Sequence, residues 1–124
     1  MRLYSWNVNG WRAACRKGLV HWVAATQPDV LCIQESKADP NRLPAAETVL
    51  EGYDSQWAVA ERSGYSGVTT FSKAPCRPVA TGLGIPRFDR EGRVLITDCG
   101  DFDLYNVYFP NGQNRSLRLL MGLR

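Results

Sequence analysis

A run of consecutive apolar residues, Val-Leu-Cys-Ile at positions 30–33, constrains the fold more than any other segment. Such runs are typical of strands that are buried on both faces of a sheet. An alternating segment at residues 3–8 predicts a strand before it, and apolar residues at helical spacing over residues 17–27 predict an amphipathic helix that ends at Pro28. Strand, helix and buried strand in this order predict a βαβ unit with a parallel strand pair.

The remaining segments predict more strands than helices. Further strands are expected near residues 55–59 and 68–71, and residues 93–97 and 102–109 form a predicted hairpin across Gly100. The other expectations are a short helix, a Pro- and Gly-rich loop and a final basic helix, at residues 45–50, 74–92 and 116–123. The prediction is a single α/β or α+β domain over residues 1–124, with a mixed, mostly antiparallel sheet and helices on one face.

Composition excludes several classes of protein. Hydrophobic residues make up 44% and charged residues 22% of the 124, a globular balance. There is no apolar run long enough to span a bilayer, and the first residues lack the pattern of a signal peptide, so we expect a cytoplasmic protein. The four cysteines are widely spaced and there is one histidine, which predicts reduced, mostly buried thiols rather than a zinc site.

The net charge of +3 is too small to indicate a partner. The basic residues are mostly arginine, which suits phosphate or carboxylate recognition. A coding bias toward high GC content produces the same composition, and both explanations stay open.

Polar residues follow three of the predicted strands, at the edge where open α/β sheets bind ligands. The first group contains Asn7, Asn9 and Arg12, the second Glu35 and Lys37, and the third Asn106, Tyr108 and Asn111. One carboxylate among amides suits Mg²⁺, which fills its shell with water and substrate phosphate. The two cations suit phosphate oxygens. Taken singly, the same residues are also typical of turns, a packed tyrosine and solvated charges.

Five strings in one order carry a family resemblance: SWNVNGWRA at 5–13, PDVLCIQESK at 28–37, GYSGV at 64–68, DREGR at 89–93 and NVYFPNG at 106–112. Together they resemble the exonuclease III class of apurinic/apyrimidinic endonucleases, within the endonuclease/exonuclease/phosphatase superfamily. The resemblance implies a Mg²⁺-dependent (or Mn²⁺-dependent) DNA phosphodiesterase of base-excision repair. It would cleave duplex DNA 5′ to abasic sites, with 3′→5′ exonuclease activity as a second activity, in a bacterial-type, nucleoid-associated setting.

The resemblance also implies roles for individual residues. It assigns the metal to Glu35, with Asn7 and Asn9 beside it. It assigns the reaction centre to four residues: Asn7, Glu35, Tyr108 and Asn111. It assigns DNA-backbone contacts to Arg12, Lys37 and Tyr65.

The chain departs from this family after Tyr108. The family continues with an Asp-x-Asn motif, whose Asp activates water, and ends with an Asp-His pair, whereas this sequence has no acidic residue after Asp103. We therefore expect half of the family's four-layer α/β sandwich, with an uncovered sheet face that leads to self-association as a two-fold homodimer. Two alternatives stay open: a catalytically incomplete DNA-binding or structural remnant, and a different phosphodiesterase of the superfamily. Whether 124 residues is a natural length also stays open.

Overall fold

The computed structural model describes residues 1–110. Seven strands lie within these residues: β1 (Leu3–Asn7), β2 (Val30–Gln34), β3 (Asp54–Ala58), β4 (Val68–Ser72), β5 (Arg77–Ala80), β6 (Val94–Asp98) and β7 (Asp103–Val107). The helices are α1 (Trp11–Arg16), α2 (Leu19–Thr26) and α3 (Pro86–Asp89), with 3₁₀ turns at Pro40–Arg42 and Ala45–Glu47. The helix predicted at 116–123 lies outside the described residues.

The predicted parallel pair is confirmed. Strands β1 and β2 run in parallel from the pair Leu3↔Val30 to the pair Asn7↔Gln34, so both strands end at the same edge of the sheet. Strand β4 pairs antiparallel with both β2 and β3, which gives the order β1-β2-β4-β3. The register places the residues that follow Asn7 next to those that follow Gln34.

The other three strands form a second sheet, in the order β5-β6-β7, which packs face to face on the first. Leu95 of the second sheet contacts Ala58 and Val68 of the first in one buried cluster. Mixed α and β structure is confirmed. The prediction of an uncovered sheet face is wrong: the strands form two sheets, and the β5-β6-β7 sheet covers the face of the first sheet that carries Ala58 and Val68. Residues 74–92 contain β5 and α3, where the sequence predicted only a loop.

The helices cover the outer face of the four-stranded sheet. Leu31 and Ile33 of β2 are fully buried against α1 and α2, in a core that includes Trp11 and Leu19. Helix α2 corresponds to the helix predicted at 17–27, whereas α1, which begins at Trp11, was not predicted. Gly18, which has φ +105°, separates the two helices. No helix among residues 1–110 has the length and hydropathy needed to cross a membrane.

Candidate active site

The carboxyl ends of β1 and β2 form the rim that carries the predicted site. The chain turns sharply after both strands, and three non-glycine residues adopt left-handed backbone angles there: Asn9 (φ 50°), Glu35 (φ 54°) and Lys37 (φ 51°). The Gly10 amide donates to the Glu35 carbonyl at 2.7 Å, which joins the two turns. Non-glycine residues in this conformation cost free energy and cluster at functional sites.

The Glu35 carboxylate lies at the centre of this rim. The Asn7 Nδ2 donates to Glu35 Oε1 at 3.0 Å, and the Lys37 Nζ lies 3.5 Å from Oε2. Lys37 also donates to Asn9 Oδ1 at 2.6 Å. Four residues that the sequence placed on two strand ends therefore form one connected network.

Tyr108 lies beside this network although it belongs to the other sheet. Its backbone amide donates to the Arg93 carbonyl at 2.8 Å, which continues the β6–β7 pairing by one residue. Burial and then the negative charge of Glu35 raise the pKa of the Tyr108 phenol, so the hydroxyl keeps its proton at neutral pH. The two sheets thus bring a carboxylate and a neutral phenol to one rim.

The hydrogen-bond directions separate the roles that the two amides can have. Asn7 points its NH₂ group at Glu35, and its Oδ1 accepts from the Asn9 backbone amide at 3.1 Å. Asn7 therefore orients the carboxylate in this arrangement. Glu35 is the acidic member of the network, and residues 1–110 contain no group of three or more His, Cys, Asp or Glu side chains that could hold a metal.

The three predicted DNA contacts line one cavity of about 200 Å³ next to the rim. Lys37 joins this cavity to Glu35, while Arg12 forms an exposed ion pair with Glu47 at 3.5 Å. The Arg62 guanidinium lies over the Tyr65 ring, and its Cζ atom is 5.5 Å from the ring centroid. Asn111, the remaining predicted site residue, lies outside the described residues.

Sequence analysis missed a buried arginine behind the site. Arg93 is 1% exposed and lies directly across from Tyr108 at the start of β6. It forms an ion pair with Glu91 through Nη2, and within residues 1–110 its Nε and Nη1 atoms have no hydrogen-bond partner. The alternation of β6, which places Arg93 on the same face as Leu95, was the signal that could have found it.

The loops beneath the rim fit together closely. Ser36 and Lys37 donate backbone hydrogen bonds to the carbonyls of Gly67 and Ser66, at 3.1 and 2.7 Å. A Cβ at Gly67 would lie 2.7 Å from Ser36 Oγ, so the GYSGV string packs directly under the residues that follow β2. Because Gly67 also has φ +89°, any other residue there strains this support.

Comparisons with known proteins agree with this geometry. The model of the Endonuclease/Exonuclease/phosphatase family matches residues 4–122. The chain is 40% identical over 121 residues to the DNA repair nuclease APEX1 of Danio rerio, and 35% identical over 114 residues to the exodeoxyribonuclease of Bacillus subtilis. These matches cover 96% and 91% of this chain but 39% and 44% of the relatives, so the chain spans less than half of their length.

Solved structures give the same result. The chain superposes on a 3′ phosphatase from Neisseria bound to a product DNA hairpin with a TM-score of 0.80 and 26% identity, over 98% of this chain and 48% of that one. The catalytic domain of Xenopus laevis APE2 gives a TM-score of 0.69 and 30% identity, over 90% and 46% of the two chains. The resemblance seen in the sequence is therefore confirmed, and the chain belongs to the Endonuclease/Exonuclease/phosphatase family, with DNA-repair nucleases among its relatives.

Proposed function

We propose that this chain carries the metal-binding and phosphate-binding half of a DNA phosphodiesterase that cleaves duplex DNA 5′ to abasic sites. The observation that supports this most directly is the position of the Glu35 carboxylate, held by Asn7 and Lys37 beside the Tyr108 phenol. The names of the relatives support the same proposal, since they are repair nucleases and exodeoxyribonucleases.

The donor chemistry of the rim fits Mg²⁺, with Mn²⁺ as the alternative ion. Glu35 Oε1 accepts from Asn7, and Oε2 lies 3.5 Å from Lys37 Nζ. A carboxylate oxygen has more than one lone pair, so Glu35 can also bind a metal ion, and the amide oxygens of Asn7 and Asn9 are hard donors nearby. When bound, the ion stabilises negative charge that builds up on phosphate oxygens during hydrolysis.

The other rim residues have separate roles in this proposal. Asn7 fixes the orientation of Glu35, and Lys37 supplies a positive charge to the scissile phosphate. Tyr108 donates a hydrogen bond from its protonated hydroxyl to a phosphate oxygen, and the raised pKa keeps that proton in place at neutral pH.

The test is nicking of a short duplex that contains a tetrahydrofuran abasic analogue, with Mg²⁺ or with EDTA. We expect metal-dependent nicking by the unaltered chain and by Glu51→Gln, a control at an exposed position in a turn outside the rim. Glu35→Gln should reduce the rate by about 100-fold or more, because it removes the negative charge that binds the ion. Equal rates for Glu35→Gln and Glu51→Gln would reject the assigned role of Glu35.

A catalytically incomplete DNA-binding remnant is the second candidate. It is favoured by the lone carboxylate of the described rim, since residues 1–110 contain no cluster of acidic or other ligating side chains there. This candidate predicts salt-dependent DNA binding in EDTA that Glu35→Gln leaves unchanged, with no nicking under any condition.

We also propose that two copies associate as a homodimer. Strands β1 and β7 are sheet edges among the described residues, and they expose Leu3 (45%) and Tyr105 (58%). Exposed apolar edges favour pairing with another chain. Light scattering should show a dimer that Leu3→Lys and Tyr105→Lys weaken, with Val49→Lys, an exposed position on another part of the surface, as control. A monomer at high concentration would contradict association.

A further inference from the structure

A second cleft, of about 410 Å³, continues the candidate site along the surface. It is lined by Glu61, Arg62, Tyr65, Arg87, Arg90 and Glu91. Three of these residues, Glu61, Arg62 and Tyr65, also line the cavity that contains Arg12 and Lys37. The two cavities therefore form one groove. It starts at Lys37, which pairs with Glu35, and ends at Arg87 and Arg90.

Within residues 1–110, the guanidinium groups of Arg62, Arg87 and Arg90 in the second cleft form no ion pair. The ion pairs of residues 1–110 use Arg12, Lys37, Arg42, Arg77 and Arg93. The arginines at positions 62, 87 and 90 take part in none of these pairs. Of the two acids in the cleft, Glu91 already pairs with the buried Arg93.

The loop that carries Arg87 and Arg90 is anchored at both ends. Asp89 accepts hydrogen bonds from the backbone amides of Leu83 and Gly84, both at 2.9 Å, and the Phe88 side chain is 6% exposed. The Arg90 carbonyl accepts from the Glu61 amide at 2.8 Å, which fastens the loop to the strand end beside Tyr65. Such anchoring lowers the conformational entropy lost when the two arginines bind a ligand.

Close packing fixes this loop further. A Cβ at Gly92 would lie 2.6 Å from the Ala60 backbone nitrogen and 2.9 Å from the Ala58 carbonyl oxygen. The backbone of the loop therefore lies directly against the residues that follow β3. Arg87 and Arg90 themselves remain exposed on the groove side of this packed segment.

We propose that Arg62, Arg87 and Arg90 bind successive phosphates of a polynucleotide strand that continues from the reactive phosphate at Glu35 into the second cleft. Guanidinium groups bind phosphate oxygens through paired N–H donors, and anchored cations along a groove match a regularly charged backbone. The proposal rests on the proposed function for the position of the reactive phosphate. It makes the substrate a polymer rather than a small phosphodiester.

The test measures DNA binding in EDTA, so that cleavage does not interfere. Fluorescence anisotropy with a labelled abasic duplex gives Kd over a salt range of about 0.05 to 0.2 M. The variant is Arg87→Gln with Arg90→Gln. The matched control is Arg2→Gln with Arg77→Gln, which removes the same charge at the opposite ends of β1 and β6.

We expect the Arg87/Arg90 variant to reduce the slope of log Kd against log salt by about 2 and to weaken binding by about 10- to 100-fold at 0.1 M salt. The control should keep the slope of the unaltered chain. A series of oligonucleotide lengths tests the polymer: affinity should rise until the strand fills both cavities, and inorganic phosphate or a dinucleotide should compete only weakly.

Several results would overturn the inference. These are equal slopes for the variant and the control, competition by inorganic phosphate as strong as by the long duplex, or no salt-dependent binding by the unaltered chain. The proposed function can fail separately. If the chain binds DNA with the expected salt dependence but never nicks it, the groove proposal stands and the proposed hydrolytic activity is rejected. Because both substituted arginines are exposed, thermal melts of the variant should match those of the unaltered chain.

Discussion

Two networks of amide side chains in this molecule have the same functional groups and opposite surroundings. Between the sheets, Asn106 is 2% exposed, donates to the Thr69 carbonyl at 2.9 Å and to Thr70 Oγ1 at 3.1 Å, and accepts from Gln34 at 2.9 Å. At the rim, Asn7 is exposed and donates to Glu35. The first network joins two strands of one sheet to a strand of the other.

The two networks differ in which groups can take the place of a lost hydrogen-bond partner. Thr69 and Asn106 are buried between the sheets, so the hydrogen bond lost when Asn106 is removed lies in a layer with little access to solvent and is costly to lose. Water, a cation or a phosphate can replace the partners of Asn7, because the rim is open. The buried network therefore stabilises the fold, while the exposed network can exchange its ligands.

The largest expected effect is the loss of the buried amide. Asn106→Ala should lower the free energy of unfolding by about 3 kcal/mol, since it removes the buried hydrogen bonds that Asn106 makes to Thr69 and Gln34 and leaves a cavity between the sheets. Asn7→Ala should lower it by less than about 1 kcal/mol. Urea titration followed by tryptophan fluorescence measures both, and equal losses would show that burial does not distinguish the two networks.

Alkaline pH tests the same buried layer. Cys32 lies next to Thr70 in the β2–β4 register, and burial raises the pKa of its thiol to about 11. The pKa of this thiol is higher in the folded state than in the unfolded state. The free energy of unfolding that Cys32 contributes is therefore complete below about pH 9 and is lost as the pH rises to about 11.

The stabilisation lost over this range is on the order of 2 kcal/mol. Urea titrations at several pH values should show this decline for the unaltered chain and a shallower decline for Cys32→Ala. Burial also raises the pKa of the Cys99 thiol, to about 12, so part of the decline in the free energy of unfolding with pH should remain in that variant. Identical slopes in both proteins would mean that the Cys32 thiol does not lose its solvation on folding.

Much of this layout could be predicted from local patterns. The parallel pair β1–β2 follows from the apolar run at 30–33 and the alternation before it, and the rim follows because two such strands end together. Strand β5 and helix α3 could not be predicted, because Pro78 and Pro86 lie within them and indicate a loop. Both elements are short and depend on tertiary contacts such as the Asp89 hydrogen bonds.

The site was predicted less completely than the fold. A sequence places Asn7 and Asn106 in the same class, an amide in or near the end of a strand, and only the packing of the two sheets separates them. Arg93 shows the same limit: it looks like a solvated charge in the sequence, and the second sheet buries it behind Tyr108. The Cys76 and Cys99 sulfurs, 2.8 Å apart, likewise become neighbours only when β5 pairs with β6. Cys32 is buried as predicted, whereas the other three thiols are partly exposed.

Replacement of Lys37 tests whether a residue of the exposed rim network affects DNA binding rather than stability. Lys37→Met should change the free energy of unfolding by less than about 1 kcal/mol, because its ion pair with Glu35 is partly exposed. It should weaken DNA binding in EDTA several-fold, since it removes a cation beside the reactive phosphate. Denaturation and anisotropy on one preparation separate the two effects. A loss of stability without a loss of binding would place Lys37 in the fold rather than in the site.

The smallest effect is expected at a surface ion pair that belongs to neither network. Arg77 and Asp98 are 2.7 Å apart at the β5–β6 pairing, where the Gly100 amide and then Arg77 lower the pKa of the Asp98 carboxyl. Arg77→Gln should change the free energy of unfolding less than the substitutions in either network do, and added salt should reduce that difference, because water and ions screen exposed charges. Thermal melts at low and high salt measure it. A change as large as that of Asn106→Ala would show that this edge of the second sheet is held by charge rather than by the buried amides, and the contrast between the two networks would then fail.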